Sequence, residues 1–438
     1  MRIAIVGTGI SALSAAWLLS RAHDVVVLEA ADRVGGHSNT VDAPLRDGAS
    51  TPVDTGFIVY NEPAYPNLTA LFGCLSVATY PTEMSFSVSL GSGALEYAGN
   101  GLSRLFAQPR NLVSPRFWSM LGDLRRFYAE ASRDLPQMGN ATLGEYLDVQ
   151  GYGVALRQDH LYPMAAAIWS MPASQAAAYP VSAFVRFCEN HGLLQVRGRP
   201  VWRTVVGGAR AYVTAVSAPF ADRIRLHAPV SRIERESDAV KVVWPGGSDR
   251  FDAVVIGAHA DQALAMLAQP SDEERRVLGH LRYGRNVALL HSDERLMPRR
   301  RAIWSSWNYL ARNRDADAPL SVTYWMNRLQ RLPRGREFFV TLNPIEEPHE
   351  ALTHKRIVYE HPIFDSAALS AQQELWSLQG RDRVWFCGAY FGAGFHEDGL
   401  QAGLAVAERL GGVRRPWRVA EESGRIRISA APLPAGAL

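Results

Sequence analysis

The sequence predicts an α/β protein in which a nucleotide-binding domain with a parallel sheet is interrupted by a second, α+β domain. Short apolar runs at 2–6 and 25–28 flank a glycine-rich turn and a helical run at 12–19. They form a β-α-β unit of about thirty residues. Similar strand patterns return only much later, at 250–256 and 384–387, before a final helix predicted at 399–410. The chain of 438 residues is also too long for one ordinary core.

We therefore expect two discontinuous domains. The nucleotide-binding domain combines residues 1–75, 200–285 and 378–415, and the substrate domain combines residues 76–199 and 286–377. The remaining residues, 416–438, form a C-terminal tail that we expect to be loosely ordered after about residue 424. Within the substrate domain, a helix is predicted at 114–133 because Ser-Pro starts a run of apolar residues at helical spacing.

The turn after the first strand reads GTGISA at 7–12, the GxGxxG/A pattern of a Rossmann-type dinucleotide site. Gly7 permits the tight turn, Gly9 lets the backbone approach a pyrophosphate, and Ala12 keeps helix and strand close. The helix then starts with Ile10 and Ser11. Its N-terminus offers free N–H groups and the positive end of the helix dipole to phosphates. We predict that these residues bind the cofactor diphosphate.

An acidic residue, Glu29, ends the second strand. Its carboxylate can accept hydrogen bonds from a ribose and would repel a 2′-phosphate. A glycine pair follows. The structural alternative is a dehydrogenase that uses only NAD, and such an enzyme does not need a glycine pair after the acid. The further cofactor-binding residues predicted in this segment are Ala30, Arg33, Gly35, Gly36 and His37.

Five runs, in order, resemble motifs of the flavin amine oxidoreductases, a superfamily that includes monoamine oxidases, protoporphyrinogen oxidases and phytoene desaturases. The runs are LEAADRVGGHSNT (28–40), VDTGFIV (53–59), PVSRI (229–233), DAVVIGAHA (252–260) and FCGAYFGAGFHEDGLQAG (386–403). The resemblance implies FAD as the cofactor. It also implies a Rossmann-type, amine-oxidase-like FAD domain with an interleaved substrate domain.

The same resemblance implies roles for individual positions. Gly35 and Gly36 would pass the diphosphate and ribityl, Gly56 and Phe57 would approach the flavin, and Val230 would contact the adenine. A helix starting near Gly399 would direct its dipole at the flavin. The other positions implied to bind the cofactor are Ala258, Gly388, Ala389, Phe395, His396 and Leu400.

One departure from the superfamily pattern concerns lysine. Amine oxidases of this superfamily often place a lysine near the flavin, in a strand soon after the element that DAVVIGAHA matches. The corresponding stretch, 284–287, has none, and the chain contains only Lys241 and Lys355. This departure counts against simple amine oxidation.

A closer resemblance covers nearly the whole chain and rests on LYPMAAAIWSMP (161–172), TVVGGARAYV (204–213), RRRAIWSSWNYL (299–310) and VTYWMNRLQ (322–330). These runs are similar to a bacterial branch of NAD/FAD-binding proteins that accompany methyltransferases of the cyclopropane-fatty-acid-synthase type. Some members are implicated in desaturating methyl-branched acyl chains on the way to furan fatty acids. The resemblance implies a lipid acyl substrate, such as that of a membrane phospholipid, and a partner methyltransferase.

An acyl chain needs a long apolar slot. Such aromatic residues can equally fill the core of the substrate domain. The candidates to line the slot are Trp169, Met171, Trp304, Trp307, Tyr324 and Trp325.

The helix predicted at 115–133, with Arg104, Arg110 and Arg116 nearby, suits an anionic membrane surface, or simply packs on its own domain. No apolar run approaches the length of a membrane span. We therefore expect a cytoplasmic protein, with contact to the inner membrane face left open.

The composition argues against several other classes of protein. The formal net charge of +3 demands no nucleic-acid partner, and the 47% hydrophobic content is that of a globular chain. Cys74, Cys188 and Cys387 form no CxxC pair, so we expect no metal site and a reducing compartment.

The function that the closer resemblance implies is dehydrogenation of an acyl chain, with a hydride passing to flavin N5 and oxygen as the oxidant of reduced flavin. His396 and Glu397 are the candidate proton acceptors, and His361 is a more distant one. His396 can instead hydrogen-bond the cofactor. Two alternatives stay open: an oxidase of amines or other small molecules, and a non-catalytic flavoprotein that assists a methyltransferase.

Overall fold

The computed structural model describes residues 1–169, 173–195, 198–313 and 320–428. Within these ranges the strands, β1 to β20, are Arg2–Val6, Asp24–Leu28, Thr40–Pro44, Ser50–Asp54, Tyr60–Asn61, Thr79–Thr82, Phe86–Leu90, Leu95–Ala98, Trp202–Val205, Ile224–Arg225, Arg232–Arg235, Val240–Trp244, Gly247–Phe251, Ala253–Ile256, Arg282–His291, Trp307–Ala311, Leu320–Trp325, Phe339–Leu342, Thr353–Ile363 and Val384–Phe386. The helices, α1 to α15, are Ile10–Leu19, Pro66–Cys74, Leu102–Leu105, Pro115–Asp134, Leu143–Val149, Val154–Leu156, Tyr162–Trp169, Ala173–Ala176, Val181–Asn190, Arg210–Ser217, Ala260–Met266, Asp272–Gly279, Met326–Leu329, Ser366–Gln372 and His396–Gly411. None of these helices is both long and apolar enough to cross a membrane.

The parallel sheet of the nucleotide-binding domain has the strand order β10-β2-β1-β14-β20. Its central strand, β1, places Ile5 beside Val27 of β2 and Val255 of β14. Apart from Arg2, Asp24 and Arg225, the residues of these strands are apolar, as expected for a parallel sheet that is covered on both faces. The sheet therefore draws its strands from the start, the middle and the end of the chain.

The run at 250–256, predicted as one strand, is divided in the structure. Residues up to Phe251 belong to the antiparallel sheet β11-β12-β13, and Ala253 starts β14 of the parallel sheet. Asp252 lies at the break, where its N–H donates to the Arg2 carbonyl (2.8 Å) and its carboxylate accepts from the Arg2 N–H (2.6 Å). The sequence does not reveal this change of sheet, because Phe251, the last residue of β13, is buried like the residues of β14 that follow it.

Helices α1 and α15 cross closely on the parallel sheet. Every residue of α1 is buried, and a Cβ atom at Gly403 of α15 would overlap the Ser11 carbonyl and the Ser14 hydroxyl. Helix α15 begins about one turn before the predicted start at 399, because the Asp398 carboxylate accepts the Phe395 N–H (2.8 Å) and secures an earlier turn.

The substrate domain contains a mixed sheet with the order β19-β15-β18-β17-β16-β7-β8. Its strand β15 begins at Arg282, inside the segment 200–285 that the sequence assigned to the nucleotide-binding domain. Beside this sheet, helices α4, α5, α7 and α9 bury a second apolar cluster that includes Phe127, Leu147 and Phe184. This part of the molecule thus consists of two adjoining layers, one of strands and one of helices.

The described part of the predicted tail, 416–428, packs on the nucleotide-binding domain. Trp417 stacks on Trp17 of α1, with ring centroids 5.7 Å apart, and its indole N–H donates to Asn67 of α2 (3.1 Å). Ile426 is buried in the main core. The expected loss of order after residue 424 is therefore not seen up to 428, and residues 429–438 lie outside the described residues.

Candidate cofactor and active site

The glycine turn between β1 and α1 has the geometry of a diphosphate site. Gly7 has a φ of +91°, which favours glycine, and its Cβ would lie 3.2 Å from the Gly257 carbonyl oxygen. Gly9 has a φ of −64°, which any residue adopts, and its Cβ would meet no atom within 4 Å. The protein itself does not require glycine at position 9, so the open space beside the helix start fits a bound diphosphate.

The other predicted residues of this turn have packing roles. Ala12 faces Gly257, where an added Cβ would lie only 2.5 Å from that of Ala12. Ser11 and Ile10 are buried in the first turn of α1. Gly36 has a φ of +56°, and its Cβ would lie 3.0 Å from the Cα of Gly9. The glycine pair at 35–36 therefore contacts the glycine turn at 7–12.

Glu29 lies at the end of β2 and is half-buried. Its carboxylate accepts hydrogen bonds from the Thr8 hydroxyl and the Ala31 N–H (2.8 Å). Each carboxylate oxygen can accept more than one hydrogen bond, so capacity for a ribose hydroxyl remains. In the following loop Ala30 is exposed, and the Arg33 guanidinium donates to the Gly36 carbonyl (2.7 Å).

Three motifs that are far apart in sequence converge next to this turn. Gly56 lies so close to His37 that a Cβ would overlap the His37 carbonyl oxygen, and the Phe57 N–H donates to that oxygen (2.8 Å). The Phe57 ring stacks on His396 with centroids 3.9 Å apart and an angle of 11°. The structure therefore brings together the segments around 37, 57 and 396.

The C-terminal motif also reaches the first helix. A Cβ at Gly399 would lie 3.0 Å from the Ile10 side chain and 3.6 Å from the Ala389 nitrogen. Leu400 is fully buried behind it. The Tyr390 ring lies against Gly388, so a Cβ atom at Gly388 would overlap that ring. The side chains of Val230 and Ala258 are half-buried against the main core.

Four histidines gather at this convergence. The His37 ring lies 5.4 Å from His361 and 6.3 Å from His259, and 4.9 Å from the Tyr359 ring. Burial lowers the pKa of His361 to about 4 and that of His396 to about 3, and it holds the pKa of His37 well below its usual value. These imidazoles are therefore neutral at pH 7. Across the described ranges, no group of three or more His, Cys, Asp or Glu side chains is arranged to hold a metal ion.

His396 belongs to a hydrogen-bonded chain that the sequence did not reveal. Its Nε2 lies 2.6 Å from the Tyr212 hydroxyl, which in turn contacts the Ser38 hydroxyl. Tyr212 is part of α10, and no local pattern connects that helix with His396. Tyr359, which accepts from Asn39 (3.0 Å), was missed for the same reason.

Glu397, the other candidate proton acceptor, is used differently. Its buried carboxylate accepts from the Asn67 N–H (3.0 Å), the Asn67 side-chain amide (2.8 Å), the Leu68 N–H (3.0 Å) and Gln401 (3.1 Å). Burial raises its pKa, and these donors oppose that rise. The carboxylate caps the start of α2, so we do not retain Glu397 as a base.

We expect Glu397→Gln to weaken the fold without changing the chemistry. The new amide would place a donor against an N–H of α2, and an unsatisfied buried donor costs about 1–3 kcal/mol. Urea unfolding should show that loss, whereas the rate of flavin reduction per bound flavin should stay within about twofold of the wild type. A large fall in that rate, with unchanged stability, would restore Glu397 as a catalytic residue.

Neither lysine lies in the histidine cluster. Lys241 belongs to β12 and pairs with Glu234 (3.3 Å), and Lys355 is exposed on β19. At the stretch 284–287, the Asn286 amide instead contacts Nδ1 of His361 (3.0 Å). At the stretch where the resemblance to the superfamily would place a lysine, the structure therefore has this contact between an amide and an imidazole.

The proposed pocket residues divide between two faces of the mixed sheet. Trp307 and Tyr324 are cross-strand neighbours with rings 5.4 Å apart, and strand alternation puts them on the face that carries Tyr359 and His361. Trp325 points to the other face.

On that other face, Trp325 packs with Trp304 and Phe339 in a small separate cluster. The structure therefore does not bring Trp304 and Trp325 to the site. Trp169 lies in the helical layer, 5.1 Å from the Phe187 ring. Met171 lies outside the described residues.

Comparisons with known proteins agree with this geometry. The family model described as "Flavin containing amine oxidoreductase" matches residues 10–411. A curated relative, "Putative flavin-containing monoamine oxidase AofH" from Mycobacterium tuberculosis, is 25% identical over 281 residues, which is 61% of this chain. The match covers 59% of that relative, so this chain spans about three fifths of its length.

Solved structures share the fold. A redesigned putrescine oxidase superposes with a TM-score of 0.67 and 16% identity, covering 93% of this chain and 99% of that one. The CLA-producing fatty acid isomerase from P. acnes gives a TM-score of 0.67 and 16% identity, covering 93% and 98%. At such identities the likeness concerns the fold alone.

The family match runs through nearly all of the described elements, from α1 to the end of α15. It begins directly after Gly9 and includes the glycine pair at 35–36 and the C-terminal motif, which meet at the cofactor site. The chain therefore belongs to the flavin-containing amine oxidoreductase family, and its cofactor is FAD.

Proposed function

We propose that the protein dehydrogenates a fatty acyl chain, of the methyl-branched or unsaturated kind carried by phospholipids. The observation that carries this proposal is an uncharged aromatic row that leads away from the C-terminal motif. The Phe395 ring, next to His396, lies 4.7 Å from Phe187, which lies 5.1 Å from Trp169. A long apolar substrate needs such a wall, because it offers no group for polar recognition.

The opposite wall comes from the mixed sheet. Phe86 of β7 lies in register with Trp307 of β16, and it contacts both the helical cluster and the sheet cluster. Trp307 and Tyr324 continue this wall toward the strands that carry Tyr359 and His361. A substrate between the two walls would reach the histidine cluster at one end.

The cofactor site fixes where the reaction takes place. FAD, when bound through the glycine turn, Glu29 and the glycine pair, supplies the hydride acceptor. The protein has to orient the chain, exclude water and accept the proton from the neighbouring carbon. The apolar walls perform the first two tasks.

For the proton, His396 is the better of the remaining imidazoles. The Asn286 amide contacts Nδ1 of His361, whereas the hydrogen bond of His396 with Tyr212 involves its Nε2. In the tautomer whose Nε2–H donates to the Tyr212 oxygen, Nδ1 of His396 keeps a free lone pair. Its pKa of about 3 makes it a weak base, so Tyr212 and Ser38 would have to stabilise the protonated ring.

Amine oxidation is the second candidate, and the name of the Mycobacterium tuberculosis relative favours it. The positions of Lys241 and Lys355 count against it. A third possibility is a flavoprotein without its own catalysis that assists a methyltransferase. The first and third proposals share a partner methyltransferase, supported by the resemblance to its companion proteins.

Anaerobic reduction distinguishes these candidates. We expect phospholipids with methyl-branched or unsaturated acyl chains to bleach the flavin absorbance of the holoprotein, and polyamines to leave it unchanged. Bleaching by amines alone would show an amine oxidase. No bleaching by either class, with firm co-purification of a methyltransferase, would show the assisting role.

A matched pair of tryptophan variants tests the pocket. Trp307→Ala should slow reduction by the acyl substrate about tenfold, equivalent to about 1.4 kcal/mol, because it removes part of the wall. Trp325→Ala, on the other face of the same sheet, should leave the rate unchanged. Equal effects of both substitutions, at equal flavin content, would contradict this location of the substrate.

A further inference from the structure

The segment 102–118 exposes an unusual group of apolar side chains. Leu102 is 75% exposed, Leu112 52%, Val113 80% and Trp118 51%. We call these four residues the apolar rim. Contiguous exposed apolar surface of this kind marks a contact site, because water disfavours it.

The rim is held as one surface. Residues 109–113 form a 3-10 helix that leads into α4, and the Trp118 indole N–H donates to the Leu112 carbonyl (2.8 Å). The Trp118 ring packs on Phe106, 5.4 Å away. The polar atom of Trp118 is therefore satisfied by the protein while its ring faces outward.

Positive charge surrounds the rim. Between Glu96 and Asp123 the sequence contains three arginines and no acidic residue. Arg110 is exposed, and so is Arg299, whose side chain lies against the turn at Gly93. Within the part of the chain that the structure describes, neither takes part in an ion pair.

Beside the rim, the same turn forms a shallow depression of about 400 Å³. Its lining includes Arg110, Ser114 and Arg116, and Arg116 is fixed in place by Asp159 (2.7 Å). One unpaired and one fixed guanidinium thus border the depression, next to the apolar rim.

We propose that this surface docks on a bilayer that contains anionic phospholipids. The rim enters the boundary between headgroups and acyl chains, where tryptophan is well suited, and Arg110 and Arg299 contact lipid phosphates. A second copy of this chain on the same surface would bring like charges together, which disfavours a symmetric dimer.

The location of the surface agrees with the proposed function. The purpose of docking on a bilayer rests on that function. Aromatic rings in contact lead inward from Phe106 through Phe117 (5.8 Å) and Tyr97 (5.4 Å). They continue through His160 (6.2 Å) to Phe86 (6.3 Å), which belongs to the proposed substrate wall. Docking would place the substrate domain, rather than the FAD domain, against the lipids.

Vesicle flotation of the holoprotein tests the docking. We expect binding to vesicles of phosphatidylcholine with phosphatidylglycerol, weaker binding to phosphatidylcholine alone, and a loss at high salt. Leu112→Ser with Val113→Ser should reduce the affinity at least tenfold. Arg110→Glu with Arg299→Glu should remove the preference for phosphatidylglycerol.

The control is Val201→Ser, a valine that is 61% exposed outside the segment, which should bind as the wild type does. Flavin content reports that each variant is folded. Unchanged binding of the rim variant would overturn the docking, as would a dimer that the rim variant abolishes without any vesicle binding. Flavin reduction by lipid in detergent, without vesicle binding, would overturn the docking and leave the proposed function intact.

Discussion

Gly9→Val is expected to give a folded protein without flavin. A Cβ at this position meets no protein atom within 4 Å, and the backbone conformation suits any residue. The branched side chain would instead occupy the space beside the amides of α1, where the diphosphate would bind. We expect a thermal unfolding temperature of the apoprotein close to that of the wild type, and flavin content reduced more than tenfold after purification.

The control for this substitution is Gly99→Val. Gly99 is also in open space, without a positive φ, but it lies in the loop after β8. That variant should purify with normal flavin content. Normal flavin in folded Gly9→Val protein would show that the diphosphate does not bind at this turn.

Gly403→Ala is expected to produce the largest loss of stability. Its Cβ would overlap the backbone carbonyl of Ser11, and neither helix can yield at that point by turning a side chain. Helices α1 and α15 would have to separate, and overpacking of a tight core costs about 1–3 kcal/mol, occasionally more. Urea unfolding of the apoprotein should place this substitution at or above the upper end of that range.

Gly399→Ala, one turn earlier on the same helix, is the matched comparison. There the nearest atom is the methyl end of Ile10 at 3.0 Å, which can adjust. Its cost should be well below that of Gly403→Ala. Equal costs would mean that the crossing of α1 and α15 is looser than the structure has it.

The parts that could be predicted from the sequence are those that depend on local chemistry. The turn at Gly7 and Gly9 and the acid at Glu29 have fixed spacing, because one β-α-β unit positions all of them. The C-terminal motif was recognisable through its resemblance to a family. The sequence predicts the start of α15 about one turn too late, because the capping contact between Asp398 and Phe395 does not follow the usual residue pattern.

The parts that could not be predicted depend on contacts between distant elements. Glu397 looked suitable for proton transfer until the structure placed it at the start of α2, which no local pattern announces. Trp304 and Trp325 belong to the same aromatic stretch as Trp307. Only the pairing of the strands decides that Trp325 and Trp307 lie on opposite faces of the sheet, and Trp304 packs with Trp325.

The strand order β10-β2-β1-β14-β20 has a consequence for biosynthesis. Strand β1 leaves the ribosome long before its partner β14, and β20 and α15 follow later still. Loop-closure entropy over such separations makes these pairings slow to form. The nascent chain must therefore carry the apolar strand β1 unpaired on one edge until β14 has been made, a period in which chaperones would protect it from aggregation.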